Sequence, residues 1–302
     1  MSSSSVAGPG KAGGVASAPA PGAAVYLLQR GWHLFSSPYV LVSLVSCFVT
    51  GAWLPTKVQA LAFIPLVFAF IGFGMSNILH RFFAHQAFHT SSFMACVLSV
   101  LGTLSNQGAP LWWAAIHRRH HKYCDQPEDP HSWTQTSYVY AWIGWSFYEY
   151  GTDWKYVPRL FRTNAALVVL HWAHPLLYCA FVWWLTRTAG AQAALWCYTL
   201  PSFTGLVITT KFNVDYHPKP GSHMHTETGT QTKTTVCKAT DGSPSFGPGA
   251  ARVVGEYYHD DHHLHPRKAH RPGLDLPYYL MLCPLAAVGL IRVDGAKGAK
   301  CA

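Results

Sequence analysis

Acidic side chains are scarce in this sequence: thirteen of 302 residues are Asp or Glu, and none precedes Asp125. Charged residues of both signs make up 12% of the chain, against roughly a quarter in ordinary soluble proteins, while half the residues are hydrophobic. That balance excludes an ordinary soluble domain and points to a membrane. Cys-x-x-Cys pairs are missing among the eight cysteines, so neither a zinc ribbon nor a disulfide framework is expected, and the cysteines read as small hydrophobes. No Asn-x-Ser/Thr sequon occurs. No nucleic-acid motif accompanies the formal net charge of +9; such a basic excess suits loops beside anionic lipid, or an acidic partner.

Histidine, by contrast, is abundant, with eighteen copies. Three clusters stand out: His80 and His85; His117, His120 and His121; and His259, His262 and His263. On a helix, residues four apart lie about 40° from one another and residues three apart about 60° the other way. Each His-x-x-His-His run therefore points three imidazoles from about one turn toward one region. Imidazole suits iron, zinc, copper and nickel, and metal sites draw ligands from distant segments. The three clusters read as one polynuclear metal site. His80 and His85, five positions apart, would lie about 140° apart on a straight α-helix. Either the helix unwinds there or the two rings face different metals.

Residues 1–24 are Ser, Gly, Ala and Pro with a single Lys11 and are expected to be disordered. They have no apolar signal-peptide core; they are acid-free like a transit peptide, but no arginine occurs before Arg30. Apolar runs follow at Tyr39–Leu54, Val58–Leu79, Ala165–Thr186 and Ala191–Lys211, each near the length a bilayer requires. The stretch 92–104 is also apolar, but a crossing there would put His80 and His117 on opposite faces, so it is expected to be interfacial or half-inserted, packed under the metal site. The expected fold is an all-α integral membrane protein, with four transmembrane helices in two hairpins under a cytosolic helical cap. Most Lys and Arg fall on the histidine side, leaving Lys57 and Arg187 at the hairpin tips, which makes the histidine side cytoplasmic or stromal. The membrane domain is placed at 25–292, with a tail at 293–302. Residues 218–250 read as a long polar loop whose His223 and His225 face water. Leu276–Ile291 is expected to be a surface-docked helix. His171 and His174, inside the third span, read as structural.

With these boxes, and with His80-Arg81, Asp129-Pro130-His131-Ser132 and Gly255-Glu256 around them, the chain resembles the membrane fatty acid desaturases. Within that family it is most similar to the acyl-CoA, Delta-9 type over about Phe63–Leu290. The resemblance implies a di-iron centre held by His80, His85, His117, His120, His121, His217, His259, His262 and His263. Asn213, in an Asn-x-x-x-His pattern with His217, would hold a metal-bound water. The eight box histidines are expected to divide evenly between the irons, with His217 as a ninth ligand. Asp125, Glu128, Asp129, Glu256, Asp260 and Asp261 are candidates to orient imidazoles, although Asp260 and Asp261 could equally be solvated.

The implied reaction is oxygen-dependent removal of two hydrogens from adjacent methylenes of a fatty acyl-CoA or acyl-lipid, with O2 as co-substrate. The acyl channel is expected along Ile64, Phe68 and Gly72. The haem motif of a fused donor is absent, so the electrons are expected from a separate cytochrome b5 or ferredoxin. The endoplasmic reticulum, or a plastid membrane, is the expected location. The third box has Asp260-Asp261 where that branch commonly has other residues, and the His217–His259 gap is long, so the head group, CoA or lipid, stays open. Two alternatives are a desaturase-like hydroxylase of an acyl chain or sterol, and a zinc-handling transporter. The four-residue spacing in the first box favours desaturation, and ligands gathered at one surface disfavour a transporter.

Overall fold

The computed structural model describes residues 54–149, 151–217 and 248–293, with positions 45, 48, 49 and 51. The readings of residues 1–24, most of the first apolar run, the 218–247 part of the polar loop and the 294–302 part of the tail lie outside the described residues.

The described chain is mostly helical. Helix α1, Lys57–Ala84, begins with a capping box in which Thr56 and Gln59 satisfy each other's backbone N–H groups. From Phe70 to Ala84 its winding changes from α to π. After a turn come β1, His89–Thr90, and helix α2, Ser92–Leu104, capped by Ser91. Helix α3, Pro110–Tyr123, carries the second histidine box. Helix α4 is Ala165–Ala189, capped by Asn164. Helix α5 follows as Ala191–Ala194, a π turn at Leu195–Thr199, and Leu200–Asp215. Short helices α6, Pro248–Val253, and α7, His259–Leu264, precede α8, Tyr278–Ala287, and β2, Ile291–Arg292. Strand β2 pairs antiparallel with β1.

Among the described residues, α1 and α4 are long and apolar enough to cross a bilayer. Helix α5 is of similar length but buries Thr199, Ser202, Thr209 and Thr210. Two of these hydroxyls, on Ser202 and Thr209, anchor the turn that follows α2. Helix α2 packs along α4, and Asn106 and Gly108, both at positive φ, then reverse the chain. Leu104 O accepts from Tyr198 Oη at 3.0 Å, Asn106 Nδ2 donates to Ser202 Oγ at 3.3 Å, and Gln107 Nε2 donates to Thr209 Oγ1 at 3.1 Å. Ser202 lies thirteen residues before the end of α5, so at about 1.5 Å per residue the turn sits roughly 20 Å inside the bundle. The α2–α3 hairpin thus dips in and returns, and His80 and His117 end on the same side.

At the C-terminal end, α8 lies against the π segment of α1, burying Tyr278 and Leu282 and exposing Tyr279 and Leu280. The cysteine reading needs one correction: Cys124 and Cys283 are disulfide-bonded, while Cys96, Cys179 and Cys197 are free. Disulfide pairing cannot be deduced from the spacing of cysteines along the chain.

Candidate metal centre

The π winding settles the first box. His85 N–H donates to His80 O at 3.1 Å, so the fifth residue stacks where the fourth would on an α-helix. The two rings come within 5.0 Å, centroid to centroid. Of the two outcomes open from sequence, the helix unwinds and both rings serve one set.

The other boxes each serve two sets, for the reason their spacing gives. On α3, His117 and His121 face one way, with Nε2 atoms 3.0 Å apart, and His120 faces another. On α7, His259 and His263 pair at 3.1 Å, and His262 turns away from them. The first set is His80, His85, His117, His121 and His262, whose ligating nitrogens all lie within 4.8 Å of one another. Its Nε2 contacts are His80–His262 at 2.9 Å, His85–His117 at 2.9 Å and His121–His262 at 2.8 Å. The second set is His120, His217, His259 and His263, with His217–His259 at 3.2 Å. His121 and His263 stack at 4.3 Å and join the sets. The even division is therefore corrected: the box histidines split five to three, and His217 brings the smaller set to four.

Such crowding has a chemical meaning. His80 Nδ1 lies 3.1 Å from Glu256, and His120 Nδ1 lies 3.0 Å from Asp129. An imidazole that donates from Nδ1 presents a bare lone pair at Nε2, and His120 Nε2 is buried with no hydrogen-bond partner. Burial, reinforced by neighbouring histidines, pushes His117, His121, His259, His262 and His263 well below the usual imidazole range. Neutral rings with lone pairs converging from several helices fit first-row metals, iron among them. Cys124 Sγ sits 3.5 Å from His217 Nδ1, but in a disulfide it has no thiolate to offer.

Three of the six carboxylate candidates stand behind ligand rings: Glu256 behind His80, Asp129 behind His120, and Asp125 behind His217 at 3.6 Å. Burial pushes the Asp129 and Glu256 carboxyls up, but the histidines beside them outweigh it and hold both well below the usual range. Glu128 is exposed, and Asp261 pairs with Lys268 at the surface, 3.4 Å away. His171 and His174 lie elsewhere, His171 against Thr152 and His174 against the His171 carbonyl.

An apolar cavity of about 340 Å³ lies beside the site, lined by Ile64, Phe68, Ile71 and Met75 of α1, Phe212 of α5 and residues of α6, with Glu256, the partner of His80, in its wall. Gly72 is not in its wall; a Cβ there would meet Pro277 Cγ at 2.9 Å. Of the face expected to line the acyl channel, Ile64 and Phe68 line this cavity, whereas Gly72 turns toward Pro277 at the start of α8. Thr209 lines this cavity and also a smaller one whose wall combines Trp112, Trp113 and Trp145 with Gln107, His117, His131 and Asn213. Sequence reasoning missed several residues here. His131 stacks on His120 at 4.4 Å, Trp113 stacks on His117 at 4.8 Å, and Gln107 pairs with Thr209. Of these, only the Asp129-Pro130-His131 motif left a signal.

A family model described as fatty acid desaturase matches residues 57–280. The chain is 38% identical over 122 residues to a hex-5-enoyl-[acyl-carrier protein] acetylenase of Moorena producens, covering 36% of this chain and 38% of that protein. It is 33% identical over 110 residues to an acyl-CoA Delta(11) desaturase of Trichoplusia ni, covering 35% and 28%. A longer match, 26% identical over 225 residues, joins it to an sn-2 palmitoyl-lipid 9-desaturase of Nostoc sp., covering 69% and 70%. Against the first two relatives the chain spans well under half of their length.

Proposed function

The chain belongs to the fatty acid desaturase family, and on that premise we propose that it inserts a double bond, of the Delta-9 type, into a saturated acyl chain carried on coenzyme A or lipid. His80, His85, His117, His121 and His262 would hold one iron, and His120, His217, His259 and His263 the other. Asn213, in the last turn of α5, would hold the water that completes the second. The observation that carries this reading is the convergence of nine imidazoles, in sets of five and four, with Glu256 joining His80 of the larger set to the wall of an apolar cavity.

When bound, the iron pair supplies an oxidant able to take hydrogen from an unactivated methylene, a carbon with no acid–base handle. Two hydrogens leave adjacent carbons, a second C–C bond forms, and O2 becomes two waters with two electrons and two protons from outside. The chain's own residues set the geometry. Glu256, Asp129 and Asp125 fix the tilt and tautomer of His80, His120 and His217. Ile71, Met75 and Phe212 hold the alkyl chain and exclude water, so that the reacting carbons rather than solvent meet the metals.

Four membrane helices in two hairpins complete the reading, with 39–54 as the first and α5 as the fourth. The metal face would be cytoplasmic at the endoplasmic reticulum, or stromal in a plastid. Lys122, Lys155, Arg159, Arg267 and Lys268 are exposed on the cap and suit an acidic donor such as cytochrome b5 or a ferredoxin. Expression in a desaturase-deficient yeast tests the activity. Monounsaturated acyl chains are expected with the wild type and none with His120→Ala. Hydroxylated chains would move the assignment to a hydroxylase, and an unchanged saturated profile would defeat it.

A further inference from the structure

The nine histidines do not lie equally deep. His80, His85, His120, His217, His259 and His262 are buried, whereas His117, His121 and His263 are half-buried. His117 lines the smaller cavity. The other two form the stacked pair, 4.3 Å apart, that joins the sets. Both sets therefore come nearest to solvent at one place, the His121–His263 pair.

The surface beside this pair is basic around an apolar residue. Leu264, directly after His263, is 50% exposed, and Lys122, directly after His121, is exposed as well. Arg118 and Lys122 lie four positions apart on α3 and share a face. Arg118 Nη1 donates to Ala84 O at 3.0 Å, while its Nε is buried without a hydrogen-bond partner. Arg267 is exposed and stands close enough to repel the Arg118 charge, which burial already disfavours. Among the described residues, neither guanidinium forms an ion pair. Lys268 reaches Asp261 at 3.4 Å, at the surface. Four cations and one exposed leucine thus share the ground over the joined rings, with Asp260 and Asp261 as the acids on α7.

Resting on the desaturase reading above, we propose that the electron donor docks on this patch and that its electrons enter through the His121–His263 pair. The partner it fits is a small one-electron carrier protein with an acidic rim around its redox group. Arg118, Lys122, Arg267 and Lys268 steer and orient that rim, and Leu264 supplies an apolar contact at the centre. Encounters between redox proteins need only a small interface. Electron transfer falls off steeply with distance, so the least buried ligand rings offer the shortest way in. Each docking oxidises one carrier and converts one ferric ion to ferrous, so two dockings serve one turnover. His121 belongs to the five-histidine set and His263 to the four-histidine set, so either iron is reached from the same docking site.

The test measures binding of the oxidised haem domain of cytochrome b5, and in a second arm of a plant-type ferredoxin, to detergent-purified holoprotein. Wild type is compared with Leu264→Glu and with the double variant Lys122→Glu/Arg267→Glu. One of the carriers should bind the wild type, more weakly as salt rises, and both variants should lose about tenfold or more in affinity. Dithionite, which needs no docking site, should still reduce the bound iron in every variant. Unchanged affinity in both variants, with their iron retained, would overturn the proposal, as would a wild type that binds neither carrier. So would a wild-type dimer that Leu264→Glu splits, since the patch would then face a second copy of the chain. A wild type that binds a carrier but takes up no iron would instead defeat the di-iron reading and leave the docking site standing.

Discussion

Replacing Asp275 by alanine tests how the histidine-bearing segments are locked together. Arg81 and Asp275 are fully buried, and their side chains meet through two bonds. The same carboxylate accepts from the backbone N–H groups of Arg271 at 2.9 Å and Tyr278 at 3.3 Å. Asp275→Ala removes all four acceptor contacts and leaves the Arg81 guanidinium with only Ala269 O, 2.9 Å away. Breaking a buried pair from one side costs about 3–5 kcal/mol, because the remaining charge is uncompensated. Set against a typical stability of ~5–15 kcal/mol, that is about a fifth of the total at the least. The assay is unfolding in detergent by heat or SDS, with metal content measured in parallel. Asp275→Ala should unfold markedly earlier and bind less metal, since Arg271 loses its anchor. The double variant Arg81→Met/Asp275→Leu should be more stable than the single one, because apolar replacement of both partners removes the stranded charge. A cost within about 1 kcal/mol for Asp275→Ala, the worth of an exposed pair, would refute the reasoning.

Gly255→Ala should destabilise the same junction: Gly255 has a φ of 72°, and a Cβ there would drive into the Asp275 carboxylate and come within 2.6 Å of Arg81 Nη2. A wild-type melting temperature would refute it. Ile64→Trp should shorten the acyl chains accepted, because Ile64 lines the apolar cavity; an unchanged product profile in a stable variant would place the channel elsewhere. His217→Ala should lose iron, while Asn213→His should keep iron and lose turnover by closing the water position; full iron and turnover in His217→Ala would remove the pair from the site. Single cysteines at Thr90 and Lys122, in a background without accessible native cysteines, should label from the same face of the membrane. Labelling from opposite faces would contradict the re-entrant α2–α3 hairpin.

Much of the site was legible because short-range geometry encodes it. The i, i+4 spacing pairs His117 with His121 and His259 with His263, and the i, i+3 offset sends His120 and His262 to the other set. The first box could be read only as a dilemma, since nothing in Phe70–Ala84 announces a π winding. That the 92–104 stretch returns to the side it left followed from requiring His80 and His117 to meet, but its anchors on Ser202 and Thr209 join residues about a hundred positions apart. Arg271, Asp275 and the true facing of Gly72 were invisible for the same reason. Arg81 and Asp275 are separated by 194 residues, and no local pattern marks either as a partner. Carboxylates near the boxes were easy to nominate, yet only folding separates Asp129 behind His120 from Glu128 in solvent.

The central claim is that two irons sit in unequal histidine sets. Metal analysis of detergent-purified protein against protein concentration addresses it most directly. Two irons per chain are predicted, falling when His120 or His262 is replaced by alanine. A single metal per chain, or zinc in place of iron, would contradict the account.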